Sequence, residues 1–169
     1  MDRFLARFKK RNEKPREWNF LQANLNRTFP LKSNCAETVL ANQAIEHIID
    51  PGFFALEIYR ILQKGGVSII TTPNIRYLKN LWRIVFKGFG PSTACGNQID
   101  GPWDGGHIHY FTHRDLREIF VKVGFSNVFS QGLVDLRYEN FVRRLADRYS
   151  LSTMVREFFC GNILLIARK

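Results

Sequence analysis

Asp50-Pro51-Gly-Phe-Phe-Ala-Leu-Glu57-Ile-Tyr-Arg60-Ile-Leu-Gln-Lys64-Gly65-Gly66-Val-Ser-Ile-Ile-Thr71-Thr72-Pro73-Asn74 holds a helix, a reversal and a strand in one short run. Asp50 before Pro51 is an N-cap followed by proline at the first helical position, where its missing N–H costs nothing. Phe54, Ile58, Ile61 and Leu62 then share one helical face until Gly65-Gly66, where a positive φ lets the chain reverse. Val67 to Thr71 is too short and too apolar for anything but a core strand, closed by Thr72-Pro73-Asn74.

The same reading extends outward. Upstream, Glu37-Thr-Val-Leu-Ala41 reads as a buried strand, and Trp18 to Leu25 as an earlier one before the Thr28-Phe29-Pro30 break. Downstream, Thr112 opens a helix with a capping box to Asp115; Leu116, Ile119, Phe120 and Val123 form its core face and Gly124 ends it. Phe125 to Phe129 is a further strand, Tyr138 to Tyr149 a helix, and Ile163 to Ala167 a terminal strand. Strands alternating with helices at short glycine-marked joints predict an α/β layer structure.

Composition agrees with one soluble domain. Of 169 residues 45% are hydrophobic and 24% charged, which argues against disorder, and fifteen Phe require a compact interior. No apolar run is long enough to span a bilayer, and Met1-Asp2-Arg3-Phe4 opens no signal-peptide core. Cys35, Cys95 and Cys160 are odd in number with no CxxC pair, which predicts a reducing, cytoplasmic setting and no disulfide framework. The net charge of +10 is uneven: residues 1–17 form a basic leader, with Phe4, Leu5 and Phe8 at helical spacing, and residues 58–99 carry six Lys/Arg and no acid. Anionic partners are favoured without choosing among phosphates, membranes and nucleic acid.

Thr38-Val-Leu-Ala-Asn42-Gln43-Ala44-Ile-Glu46-His47-Ile-Ile-Asp50-Pro51, then Arg60-Ile-Leu-Gln-Lys64-Gly65-Gly66, then Thr72-Pro73-Asn74 and Gly106-His107-Ile-His109-Tyr-Phe111-Thr112 stand in a consistent order and spacing. As a set they resemble the class I S-adenosylmethionine-dependent methyltransferases, in the branch with a Glu-His pair, an Asp-Pro helix start, a Lys-x-Gly-Gly turn and a Thr-Pro-Asn ending. The likeness covers roughly residues 18 to 130 and the final strand. It implies a Rossmann-like sheet, mostly parallel with an antiparallel C-terminal strand, and ligands at the carboxyl ends of the parallel strands. It also implies S-adenosyl-L-methionine as cofactor, with Asn24, Leu25, Asn42, Gln43, Ala44 and His47 facing it, Asn24 standing where the family has an adenine-binding Asp.

The family's glycine-rich loop and its ribose-binding acid have no counterpart. Gly88-Phe89-Gly90 is a bare GxG with Thr93 where a third glycine is wanted, and too few residues precede Asn24 for a strand, helix and strand. The expectation is a truncated domain, residues 18–169, starting near the family's third strand. Its Val39 to Ala41 strand then lacks one neighbour, and the open edge is covered by Trp18 to Leu25, a second copy of the chain or another polypeptide.

For chemistry, His107 and His109 follow a Gly-Gly hinge and point the same way if extended. His107 resembles the family's acceptor-side histidine, a base or substrate ligand; packing beside Trp103 is the alternative for both. No metal is predicted, because neither a carboxylate nor a third imidazole has suitable spacing to this pair. His47 is cofactor-facing or helix-terminal, and His113 solvated. On a helix from Ile75 to Lys87, Arg76, Lys79, Arg83 and Lys87 form one stripe and Leu78, Leu81, Trp82 and Val85 the other, either a lid with its apolar face on the domain or a surface for an anionic bilayer. The functions weighed are O-methylation of a small or lipid-linked acceptor, a catalytically inactive remnant acting as a binding partner, and, weakest, nucleic-acid binding.

Overall fold

A computed structural model describes residues 19–88, 106–133 and 157–169. The basic leader, Gly90, Thr93, Trp103 and the helix expected from Tyr138 to Tyr149 lie outside the described residues.

Four strands form one sheet in the order β1-β2-β4-β3: β1 Ala36–Asn42, β2 Leu62–Pro73, β3 Ser126–Leu133 and β4 Asn162–Arg168. β1 and β2 pair in parallel, while β4 runs antiparallel to both β2 and β3. β1, β2 and β3 therefore share a direction and only the C-terminal strand opposes them, as the resemblance implies. Among the described residues the sheet is accompanied by the α-helices α1 Pro51–Ile61, α2 Leu78–Lys87 and α3 His113–Val123.

α1 begins as its sequence requires, with Asp50 Oδ1 accepting from Phe53 N at 2.9 Å and Pro51 in the first turn. It ends at Ile61, short of the glycines. The amides of Asn34 and Cys35 take the carbonyls of Arg60 and Ile61 at 3.0 and 2.8 Å, and Leu62 enters β2 opposite Ala36. Residues 63–66 then bulge from the ladder. Gly65 has φ +79°, and a Cβ on Gly66 would meet Gln63 O at 2.9 Å and Glu37 O at 3.0 Å. The two glycines serve different ends, one conformational and one steric. α3 carries the expected capping box: Thr112 Oγ1 accepts from Asp115 N, Asp115 Oδ2 from Thr112 N, and Gly124 closes it with φ +109°.

α1 and α3 pack together, and Phe54, Ala55, Ile58, Leu116 and Phe120 join Ile70, Ile163, Leu165 and Ala167 of the sheet in one buried cluster. Each fully buried large side chain contributes about 1.5–3 kcal/mol. Residues 29–33 are held on α1 by two charges: Glu57 accepts from Phe29 N at 2.7 Å and from Arg60 Nε and Nη2 at 2.9 and 2.8 Å, while Arg60 also donates to the carbonyls of Phe29 and Leu31. The Arg60 guanidinium holds the Glu57 carboxyl below its ordinary range, and Glu57 in turn raises Arg60.

Three expectations are corrected. Residues 19–25 form no strand: Phe20 is 95% exposed, and no described backbone pairs with the segment. Strands persist only where their N–H and C=O groups find a neighbour. The Glu37 to Ala41 strand is not buried: Leu40 is 66% exposed, and β1 has the open edge expected of it, with β2 its one partner among the described residues. His113 is buried, since the first turn of α3 turns its Nδ1 to Ser130 Oγ of β3 at 3.2 Å. No helix among the described residues is long and apolar enough to cross a membrane.

Candidate functional site

The carboxyl end of the parallel pair is shaped by Thr71. Asn42 ends β1, and Gln43 follows with φ +51°, a left-handed conformation that costs a non-glycine residue about 1–3 kcal/mol unless its surroundings hold it. Thr71 O and Oγ1 accept from Gln43 N at 3.0 and 3.2 Å, Gln43 Nε2 donates to Thr71 Oγ1, and that hydroxyl donates to Asn42 Oδ1. Ala44 then leads into a single 3₁₀ turn, Ile45–His47.

This turn buries a carboxylate completely. Glu46 Oε2 accepts from Thr72 Oγ1 at 3.0 Å, so the carboxyl end of β2 reaches the turn that follows β1. Glu46 Oε1 is buried and accepts no hydrogen bond among the described residues. Burying an unpartnered charged oxygen is costly, and such atoms mark sites where a ligand or ion completes the set.

The loop before α3 is fastened to the same turn. Ile108 N and His109 N both donate to Glu46 O, at 2.9 and 3.1 Å, and His47 Nδ1 stands 2.8 Å from Gly106 O. A carbonyl only accepts, so Nδ1 of His47 carries its proton and Nε2 is left for another partner. The rings of His47 and His107 meet edge to face, with centroids 4.8 Å apart and planes at 82°. Glu46, His47 and His107 each present a donor atom, all within 4.8 Å of one another.

His107 and His109 engage different partners. His107 joins His47 and lies 6.2 Å from the Tyr110 ring, whereas His109 Nε2 is 3.2 Å from Ile49 O, with its ring beside Phe111. The carboxylate and second imidazole that the sequence spacing did not offer come instead from the Glu46-His47 turn, 60 residues away. Adjacent acid and imidazole before an Asp-Pro helix start were the one available signal.

Asn24 and Leu25 sit in a turn, not at a strand end. Asn24 Oδ1 accepts from Asn26 N at 3.0 Å and its carbonyl accepts from Arg27 N, while Asn26 Oδ1 holds Ile49 N at 2.7 Å. Asn42, Gln43 and Ala44 thus stand at the carboxyl end of β1, while the Asn24 amide oxygen accepts a hydrogen bond within its own turn.

Asn74 has a role that sequence reasoning missed. It is fully buried and knots the chain: Nδ2 donates to the carbonyls of Glu157 and Cys160 at 2.7 and 2.9 Å, and Oδ1 accepts from Arg76 N. Arg76 pairs with Glu157, while Lys79 and Lys87 stay exposed. The apolar side of α2 is exposed too: Leu78, Trp82, Val85 and Phe86 stand in solvent at 48–68%, with the Trp82 and Phe86 rings 4.3 Å apart.

Residues 1–70 match the family described as "Methyltransferase domain". No protein of curated function matches the chain in sequence. Among solved structures the chain is similar to a SAM-dependent methyltransferase of Thermotoga maritima, at 18% identity and a TM-score of 0.57 over 88% of this chain and 63% of that one. It is also similar to an S-adenosylmethionine-dependent methyltransferase of Mesorhizobium loti, at 14% identity and TM-score 0.60 over 100% and 77%. A third likeness is to the [4+2]-cyclase SpnF, at 19% and 0.55 over 89% and 55%. The chain spans about three-fifths of the length of the first two structures found, 63% and 60%. The matched region and the shared architecture agree: this chain carries the fold of the class I S-adenosylmethionine-dependent methyltransferases, and its residues 1–70 are similar to their methyltransferase domain.

Proposed function

We propose that the chain works on the acceptor side of an S-adenosylmethionine-dependent methyl transfer, with a small or lipid-linked hydroxyl as acceptor. The observation that carries this reading is the convergence of Glu46, His47 and His107 at the carboxyl ends of β1 and β2, beside the strained Gln43 turn. Open α/β sheets bind ligands at that end. S-adenosylmethionine, when bound, supplies a methyl group on a sulfonium, and the S–C bond breaks with its electron pair passing to sulfur.

This chain's residues supply position and proton management. Asn42, Gln43 and Ala44 would hold the methionine end, with Thr71 keeping their backbone fixed. His107 holds the acceptor hydroxyl or takes its proton as the new C–O bond forms, and His109, tied to Ile49, lines the same loop. Positioning dominates such in-line displacements. The adenosine side is supplied by residues beyond those described or by a second chain pairing with the open edge of β1.

A second reading, a non-catalytic binding module, is favoured by the Asn24 amide oxygen, which already accepts a hydrogen bond within its own turn. Calorimetric titration of the full chain with S-adenosylmethionine separates the two. Saturable one-to-one binding that weakens in Gln43→Ala and Asn42→Ala supports the enzyme reading; absence of binding, with and without a second copy in the assembly, leaves the binding module.

The exposed apolar side of α2, flanked by Lys79 and Lys87, supports peripheral attachment to an anionic membrane, which would bring a lipid-linked acceptor to this end of the sheet.

A further inference from the structure

We propose that Glu46, His47 and His107 form a binding site for a divalent transition-metal ion, Zn²⁺ by the chemistry of its donors. Two imidazoles and one carboxylate are a ligand set suited to Zn²⁺, with positions left open for water or substrate, whereas Mg²⁺ and Ca²⁺ select oxygen donors. The three donor atoms lie within 4.8 Å of one another. Tetrahedral bonds of about 2.1 Å set two ligands about 3.4 Å apart, so side-chain shifts of about 1.5 Å or less close the set.

Three independent features point the same way. Glu46 Oε1 is buried and accepts no hydrogen bond among the described residues, while Oε2 is fixed by Thr72, which leaves one lone-pair oxygen at a defined place. His47 gives its Nδ1 proton to the Gly106 carbonyl, the outer-sphere contact that orients a ligating imidazole and leaves Nε2 for the ion. Lastly, the amides of Ile108 and His109 both bind Glu46 O, so the loop carrying His107 is fastened to the turn carrying the other two donors before any ion arrives. The closing entropy of a long loop is thereby met by backbone bonds.

The site lies within the region assigned above to the acceptor. If both readings hold, His107 would ligate the ion in place of acting as base, and the ion would hold the acceptor hydroxyl and favour loss of its proton to solvent. The metal site itself does not depend on methyl transfer, and its test uses neither cofactor nor acceptor.

The full chain, stripped with chelator, is titrated with Co²⁺ by visible absorption and with Zn²⁺ by calorimetry, and its thermal unfolding followed with and without Zn²⁺. Expected is one ion per chain, a Co²⁺ d–d band displaced by Zn²⁺ but not by Mg²⁺, and a raised melting temperature. Affinity should fall at least about tenfold in Glu46→Gln, His47→Gln and His107→Gln, and stay within about threefold in His109→Gln. His107→Gln, in a loop, guards against loss of fold in the buried variants. No saturable binding to the folded chain, or binding unchanged by His107→Gln, overturns the proposal; so does binding abolished by blocking the cysteines. Failure here leaves the methyl-transfer reading standing, and failure of cofactor binding leaves the ion site standing.

Discussion

Thr72 and Glu46 share a 3.0 Å hydrogen bond in a fully buried setting, hydroxyl to carboxylate, between the end of β2 and the turn that follows β1. It is the one hydrogen bond seen at the Glu46 carboxylate among the described residues, and it holds Oε2 while Oε1 accepts none. Thr72→Val keeps the shape of the side chain and removes the donor. The expected cost is about 1–3 kcal/mol, since a buried charged oxygen is stranded, and Thr72→Ser should recover most of it; urea denaturation of the three proteins checks this.

Glu57 predicts part of the acid response. Hydrogen bonds from Arg60 chiefly depress its carboxyl below the ordinary 4.5, with Phe29 N and the Arg60 charge assisting and burial opposing. The folded form therefore binds its proton less readily than the unfolded chain. Its stabilisation is complete above the unfolded value and is lost as pH falls through the folded one. Glu57→Gln should be less stable than the parent at pH 7 and lose less on acidification below about pH 4.5, as read by denaturant midpoints across that range.

The glycine pair should separate conformational from steric cost. Gly65→Ala meets nothing within 4 Å but keeps φ at +79°, so about 1–2 kcal/mol is expected. Gly66→Ala drives a methyl onto two backbone oxygens that cannot rotate away, and a larger loss, about 1–3 kcal/mol or more, is expected from overpacking. Equal melting temperatures for the two variants would contradict the geometry of the bulge.

Helix α2 offers a direct membrane test. The parent should co-sediment with vesicles containing phosphatidylglycerol at low salt and be released as salt rises. Trp82→Ser with Phe86→Ser should reduce the bound fraction several-fold, and Lys79→Glu with Lys87→Glu likewise. A parent protein that stays in the supernatant at low salt ends the membrane reading.

Elements with local signatures were legible. Asp50-Pro51 and the Thr112–Asp115 capping box start α1 and α3 where they predict, because a cap is made by residues three positions apart. Gly124 ends α3 for a similarly local reason. Elements that depend on a distant partner were not. Trp18 to Leu25 has strand composition, yet residues 19–25 find no neighbouring strand among the described residues. The end of α1 was set by the amides of Asn34 and Cys35. His113, polar and at a helix start, was turned inward by Ser130.

The candidate site divides along the same line. Asn42, Gln43 and Ala44 were placed correctly at a strand's carboxyl end, since that follows from the length of the apolar run before them. Pairing His107 with His109 rested on spacing alone, whereas the folded chain sets His107 against His47 and Glu46.

The chain's order of amino acids was sufficient to determine the α/β architecture, the capped starts of α1 and α3 and the class of fold, which rest on periodicity and short-range bonding; the glycine pair, expected at the helix-to-strand reversal, lies instead in a bulge of β2. Only the folded molecule decided that a buried carboxylate and two imidazoles meet, that Asn74 is a structural knot and that the apolar side of α2 is exposed. The physical reason is that side chains sixty residues apart become neighbours through backbone bonds between the Glu46 turn and the 106–109 loop, and no local pattern encodes that contact.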